Sequence, residues 1–149
     1  MKLLVALDFS DASAPILEHA RQLAQAASGS VWLLHVAAPD PDFVGYEVGP
    51  QHVRDNLATE FHKEHQKIQT MAETLRTGGI DATGLLLQGP TAETILREAE
   101  RLNADMIVVG SHGHGAVHQL LVGSVAEPVL RKSSRPVIVV PIHHNPTAD

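Results

Sequence analysis

Short apolar runs alternate along the chain with segments in which apolar residues recur at helical spacing. The runs are close to continuous, which is typical of strands buried on both faces of a parallel sheet. They cover Lys2–Leu7, Val31–Val36, Ala82–Gln88, Asp105–Val109 and Val137–Val140. The spacing between them predicts helices within residues 16–27, 53–75 and 92–102, and a fourth after Gly123.

This alternation predicts one α/β domain over residues 1–142, followed by a polar tail over residues 143–149. Consecutive parallel strands need right-handed crossovers, so we expect a doubly wound, five-stranded parallel sheet with helices on both faces. Ligands bind such sheets beyond the carboxyl ends of the strands, where the strand order reverses. Asp8, Val36 and Gly110 stand at three such strand ends.

Several residues between the predicted strands and helices have predicted structural roles. Ser10 or Asp11 is expected to cap the first helix, and Thr91, after the turn at Gly89-Pro90, to cap the third. Residues 37–50 are rich in proline and glycine and predict a long irregular excursion. His35 is interpreted as an edge residue of the second strand and not as a ligand.

The segment Val108–Val125 reads VVGSHGHGAVHQLLVGSV and joins a strand to a helix through a glycine-rich loop. Glycine lets the main chain approach a phosphate closely, and the N–H groups at a helix start can then bind it. Pro128 fits a helix that begins near Gly123–Val125, because proline is tolerated in a first turn. A longer, kinked helix is the alternative. The segment therefore predicts a nucleotide-phosphate loop.

Four better-known motifs do not fit this loop. A P-loop needs a lysine that is absent between Asp105 and Arg131, and a dinucleotide fingerprint would follow the first strand. The step at Ser111 is one residue short of a hydrolase nucleophile elbow. The pair His112 and His114 is out of register with the His-x-Gly-His signature of nucleotidyl transferases.

Composition narrows the function classes further. The chain has 149 residues, 44% hydrophobic, and a formal net charge of −6, with no basic stripe, which argues against nucleic-acid and anionic-membrane partners. The absence of cysteine excludes disulfides, thiolate metal sites and thiol catalysis. No signal peptide or membrane-spanning run is recognisable, so a cytoplasmic location is expected.

The glycine pattern, taken with its flanks, resembles one family. An apolar strand followed by G-S-H-G, nine residues, and then G-S-V-A-E-x-V-L-R-x-S-x-x-P-V-I-V-V is similar to the ATP-binding branch of the universal stress protein family. Asp8 with Ser10 two residues on, the strand end at Val36, and Gly89-Pro90 follow the family pattern in the same order. The resemblance implies a Rossmann-like fold of the adenine nucleotide alpha hydrolase type, with sheet order 3-2-1-4-5.

The resemblance also implies a role in nucleotide binding for each matched residue. Asp8, with Ser10 beside it, would lie at the ribose or beside the metal, and Val36 would offer main-chain groups to the adenine edge. Gly110 and Gly113 would let the loop approach ribose and phosphates. The phosphates would be bound by N–H groups and the serine hydroxyl of a second segment, Gly123, Ser124 and Val125.

The ligand implied is ATP, or ADP or AMP, with Mg or Mn held through the phosphates. His112 and His114 either pair with phosphate when protonated or lie in solvent, and the sequence leaves both open. The resemblance further implies a homodimer formed by the last strand, Val137–Val140. An exposed apolar edge strand favours association on physical grounds as well.

Three functions remain in competition. The leading one is a nucleotide-dependent regulatory or stress-response protein with little or slow turnover. The second is a slow ATPase or a phosphoryl or adenylyl transferase that uses the same site. The third is a dimeric interaction module that binds another small ligand or none. No catalytic residue is assigned, because fast phosphoryl transfer needs a base, metal-holding carboxylates and a neutralising Lys or Arg.

Overall fold

A five-stranded parallel sheet forms the centre of the computed structural model, which describes residues 1–37, 51–111 and 123–142, with the backbone alone at residues 51–55. The strands are β1 (Lys2–Ala6), β2 (Ser30–Ala37), β3 (Asp81–Gln88), β4 (Met106–Gly110) and β5 (Val137–Val140). The helices are α1 (Ser13–Ala26), α2 (Gln51–Thr77), α3 (Thr91–Arg101) and α4 (Ala126–Lys132).

The strand order is β3-β2-β1-β4-β5, and all neighbours are parallel. The predicted fold class and sheet order are therefore confirmed. The order reverses at β1, which lies between β2 and β4 in the centre of the sheet. The carboxyl ends of these three strands consequently open on one crevice.

The core has two halves, because successive strand residues face opposite sides of the sheet. Leu3 and Val5 pack on one side against α1 and α2, together with Ile68 of α2. Leu4 packs on the other side with Ile95 of α3 and, among others, Val129 of α4. This burial on both faces explains why the strands are apolar at nearly every position.

The predicted helix caps at Ser10, Asp11 and Thr91 are wrong. The N-cap residue of α1 is Ala12, and that of α3 is Pro90, neither with a side-chain cap. Pro90 is extended, with ψ of 128°, and its carbonyl accepts the N–H of Thr94 at 2.9 Å, so Thr91 is already helical. Ser10 instead closes a turn before α1, where its Oγ accepts the N–H of Ala12 at 3.2 Å.

Helix α4 begins at Ala126, with Val125 as its N-cap residue, so Pro128 is its third residue. Proline thus stands in the first turn, as the shorter of the two predicted helices requires. At this helix start the Glu127 N–H is already occupied, because it donates to the Gly123 carbonyl at 3.0 Å. Residues 112–122, 38–50 and 143–149 lie outside the described residues.

Candidate functional site

The end of strand β1 sets the geometry of the site. The Leu7 N–H still donates to the Leu34 carbonyl of β2 at 2.9 Å, but the chain then leaves the sheet. Asp8 Oδ1 accepts the Ser10 N–H at 2.9 Å, which tightens the turn. Phe9 within that turn has φ of 61°, a left-handed conformation that costs a bulky L residue about 1–2 kcal/mol.

A cavity of about 260 Å³ lies in the crevice where β1 has left the sheet. Its described lining comes from the carboxyl ends of β1, β2 and β4, from α1 and α3, and from the start of α4: Ala6, Leu7, Asp8, Ile16, Leu34, His35, Val36, Thr91, Ile95, Val109, Gly110, Gly123, Ser124, Val125 and Ala126. The cavity therefore occupies the strand-order switch, where ligands of such sheets bind.

Six of the ten residues predicted for the site line this one cavity: Asp8, Val36, Gly110, Gly123, Ser124 and Val125. Ser10 is absent from the lining and supports the Asp8 turn instead. His112, Gly113 and His114 lie outside the described residues. The structure thus brings together residues from four separate parts of the sequence, while their ligand contacts stay predictions.

Part of the cavity lining is apolar. It includes Ile16 of α1, Ile95 of α3 and Val109 of β4, together with Val36 of β2. Small-molecule sites commonly combine such apolar walls with a few placed polar groups. A flat, weakly polar ring would bury its faces here and reach backbone groups along its edge.

Residues of the glycine-rich segment also line the cavity, namely Gly110, Gly123, Ser124 and Val125. The Gly123 N–H donates to the Ser111 carbonyl at 2.7 Å, so the two halves of the segment are pinned together. Ser111 is fixed further, because its Oγ accepts the Ile142 N–H at 2.9 Å and its own N–H donates to the Val140 carbonyl at 2.9 Å. The Gly123 N–H therefore has a partner within the segment.

The charge around the cavity is sparse. Among its described lining residues, only Asp8 and His35 have titratable side chains, and neither Lys nor Arg is present. The described residues contain no group of three or more His, Asp or Glu side chains that could hold a metal ion. A divalent cation at this site would consequently be held mainly by the phosphates of the ligand.

Nine of the described lining residues were not predicted for the site, and Thr91, Ile95 and His35 are among them. Thr91 and Ile95 line the cavity from α3, which the turn at Gly89-Pro90 aims at the strand ends. The sequence pattern that could have identified Thr91 and Ile95 is their spacing of four residues at the start of a helix that follows a strand. His35 was interpreted as an edge residue, yet its Nδ1 lies 2.7 Å from the Leu7 carbonyl, a contact between distant segments that no local pattern shows.

Comparison with known proteins agrees with the resemblance in the sequence. A family model described as the universal stress protein family matches residues 1–141. The universal stress protein YxiE of Bacillus subtilis is 33% identical over 144 residues, which cover 93% of this chain and 97% of that relative. No helix in the described part of the chain is long and apolar enough to span a bilayer.

Two solved structures are similar over nearly the whole chain. That of MJ0577 from Methanocaldococcus jannaschii superimposes with a TM-score of 0.81 at 28% identity, covering 97% of both chains. A universal stress protein from Archaeoglobus fulgidus, solved in complex with dAMP, gives a TM-score of 0.62 at 21% identity and covers 93% of this chain and 96% of that one. The second likeness shows the shared fold.

Proposed function

This chain belongs to the universal stress protein family, and we propose that it binds ATP at the strand-order switch as a nucleotide-dependent regulator of the stress response, with little or slow turnover. The observation that carries the proposal is the single cavity onto which Asp8, Val36, Gly110 and Ser124 converge. The dAMP complex of the Archaeoglobus fulgidus relative supports an adenine nucleotide as the ligand. ADP and AMP would occupy the same cavity with fewer phosphate contacts.

In this proposal the adenine ring occupies the apolar part of the cavity. Its faces pack between the walls formed by Ile95 and Val109, and its edge meets the main chain of Val36. The ribose then lies near Asp8 and Gly110. Burial of the ring contributes to the affinity, because apolar area contributes about 25 cal/mol per Å² removed from water.

The phosphates extend toward the start of α4. Backbone N–H groups of Ser124 and Val125, with the Ser124 hydroxyl, bind them. Contacts from His112, Gly113 and His114, which lie outside the described residues, stay predictions from the sequence. A bound Mg or Mn would be held through the phosphates and would neutralise part of their charge. Backbone donors suit a site whose described lining has no basic side chain.

Slow turnover follows from the same composition. Phosphoryl transfer needs charge neutralisation by Lys, Arg or metal and a positioned base. Asp8 is the one carboxylate among the described lining residues, and its Oδ1 already accepts the Ser10 N–H. The site consequently has the groups to hold a triphosphate but few to cleave it.

The test has two steps. Mass spectrometry of the small molecules released on denaturation should recover an adenine nucleotide, and calorimetry should show binding of ATP with magnesium. The Gly123→Glu variant places a carboxylate where the phosphates would lie and should abolish binding. Gln66→Glu, at an exposed position of α2, adds the same charge elsewhere and serves as its control. Equal ATP affinity in both variants would contradict the assignment of the phosphate end.

We further propose that two copies pair through β5, in the cytoplasm. The strand β5 ends the sheet, so one of its edges has no neighbour in the described sheet. The carbonyls of Pro136 and Val140 accept bonds on the β4 side, so the backbone groups of Val137 and Val139 face the open edge. Antiparallel pairing of two such edges would satisfy them and cover the apolar strand.

Light scattering coupled to chromatography tests the pairing. Val139→Pro removes an outward-facing N–H without touching the bonds to β4, and is expected to give a monomer mass. Val139→Thr keeps that N–H and a β-branched side chain, so it should remain dimeric. A wild-type chain that is monomeric at micromolar concentration would refute the proposal.

A further inference from the structure

The hydrogen-bond ladder between β1 and β2 ends although β2 continues as a regular strand. Its last pair is Ala6 with Leu34, closed by the Leu7 N–H on the Leu34 carbonyl at 2.9 Å. In a parallel ladder the next bond would run from the Val36 N–H to the Leu7 carbonyl, because alternate residues of a strand face the same neighbour. Val36 continues in register with Leu87 of β3, so β2 itself is still regular at this point.

A side chain occupies the position of that missing bond. The Leu7 carbonyl lies 2.7 Å from Nδ1 of His35, the residue that precedes Val36. A carbonyl oxygen only accepts hydrogen bonds, so Nδ1 must carry a proton in this contact. The imidazole therefore supplies to Leu7 the donor that the backbone of Val36 would otherwise supply.

Two further side chains, Glu64 and Phe9, lie against the ring. Its Nε2 lies 3.4 Å from Glu64 Oε2 on α2, and that oxygen has no hydrogen-bond partner among the described residues. The Phe9 ring packs on the imidazole with centroids 4.1 Å apart, and Lys67 Nζ lies 5.5 Å from the centroid of Phe9. A strained turn at Phe9 and a carboxylate on a separate helix thus both bear on one imidazole.

We propose that His35 is a positioning residue for the part of the cavity that binds the base. Its Nδ1–H donates to the Leu7 carbonyl, so the Val36 N–H and carbonyl stay available to hydrogen-bond the edge of a bound base. The inference rests on the proposed nucleotide function and explains how the sheet makes room for it. If His35 did not donate to Leu7, the ladder between β1 and β2 could extend by one hydrogen bond. The Val36 N–H would then donate to the Leu7 carbonyl and would not be available to the base.

Two variants separate the contacts of the ring. The amide of Asn coincides in position with Nδ1, so His35→Asn keeps a donor for Leu7 and loses the contact with Glu64. The amide of Gln coincides with Nε2, so His35→Gln keeps the contact with Glu64 and loses the donor for Leu7. Both lose the stacking on Phe9 equally, so each is a control for the other.

Hydrogen exchange measured by NMR on the nucleotide-free chain gives the decisive readout. The Val36 amide should exchange much faster than the Leu34 amide in the wild type and in His35→Asn. In His35→Gln it should slow by about tenfold or more, the equivalent of one hydrogen bond gained. General destabilisation would instead speed exchange at both amides. A Val36 amide as protected as Leu34 in the wild type, or unaltered by Gln, would overturn the proposal.

Nucleotide titration then tests the link to the cavity. ATP should protect the Val36 amide in the wild type, and its affinity should fall by about tenfold in His35→Gln but by no more than about threefold in His35→Asn. If the exchange pattern is as expected but ATP leaves the Val36 amide unprotected, the nucleotide function fails while the role of His35 at Leu7 stands. Equal affinity in both variants, with Val36 protected by ATP, would refute the positioning role.

Discussion

The turn at Gly89 allows a quantitative prediction, because two separate penalties meet there. Its φ of +147° lies in a region that is essentially restricted to glycine, and a Cβ at this position would stand 2.8 Å from Thr94 Oγ1. Backbone strain of this kind costs about 1–3 kcal/mol, and overpacking costs a similar amount. We therefore expect Gly89→Ala to lower the free energy of unfolding by about 2–6 kcal/mol.

A second substitution divides that cost into its parts. Thr94 is fully buried, and its Oγ1 has no hydrogen-bond partner among the described residues, so Thr94→Ala should change stability by no more than about 1 kcal/mol. In the double variant the clash is gone and only the backbone strain remains, so Gly89→Ala should cost about 1–3 kcal/mol there. The two substitutions should thus couple favourably in a double-mutant cycle.

Urea unfolding followed by circular dichroism measures all four proteins of the cycle. The turn at Gly89 also affects the site, because it precedes the start of α3, from which Thr91 and Ile95 line the cavity. Strictly additive effects would show that the contact with Thr94 is not the source of the cost. A Gly89→Ala variant as stable as the wild type would refute the assigned backbone strain.

Three further predictions concern other parts of the molecule. Ser124→Ala removes one hydroxyl donor from the phosphate end and should weaken ATP binding about two- to tenfold in calorimetry, whereas an unchanged affinity would place the phosphates elsewhere. Gly84→Ala puts a Cβ 3.0 Å from the Ile68 carbonyl where α2 crosses β3, and should lower stability by about 1–3 kcal/mol in urea; no loss would mean that α2 shifts freely. Hydrogen bonds from Arg135 and then Ser134 lower the pKa of Glu100, so its contribution to stability is present at neutral pH and is lost as pH falls through that lowered pKa. Glu100→Gln should therefore be less stable than the wild type at pH 7 and equal to it in acid; a difference independent of pH would contradict the ion pair.

Continuous apolar runs were sufficient to predict the strands, because each strand is buried on both faces. The order of the strands is a different matter, since Leu4 pairs with both Trp32 and Ile107 and no periodicity in the sequence specifies such neighbours. The order came from the family resemblance. Its confirmation shows that the glycine pattern carried information about the whole fold.

The errors arose where backbone geometry decides between similar side chains. Thr91 has the side chain of a good cap, but the extended conformation of Pro90 places the helix start one residue earlier. The glycine pattern likewise does not show that the Gly123 N–H donates to Ser111 across the loop. Both outcomes depend on how a turn closes in three dimensions.

The most direct test of nucleotide binding at the switch is an NMR titration of the amide resonances with ATP and magnesium. We predict the largest shifts at Val36, at Gly110 and at Ser124–Val125, which border the cavity from three separate elements. Shifts confined to the cleft between α1 and β5, around Leu23 and Ile138, would place the ligand elsewhere and contradict the proposed site.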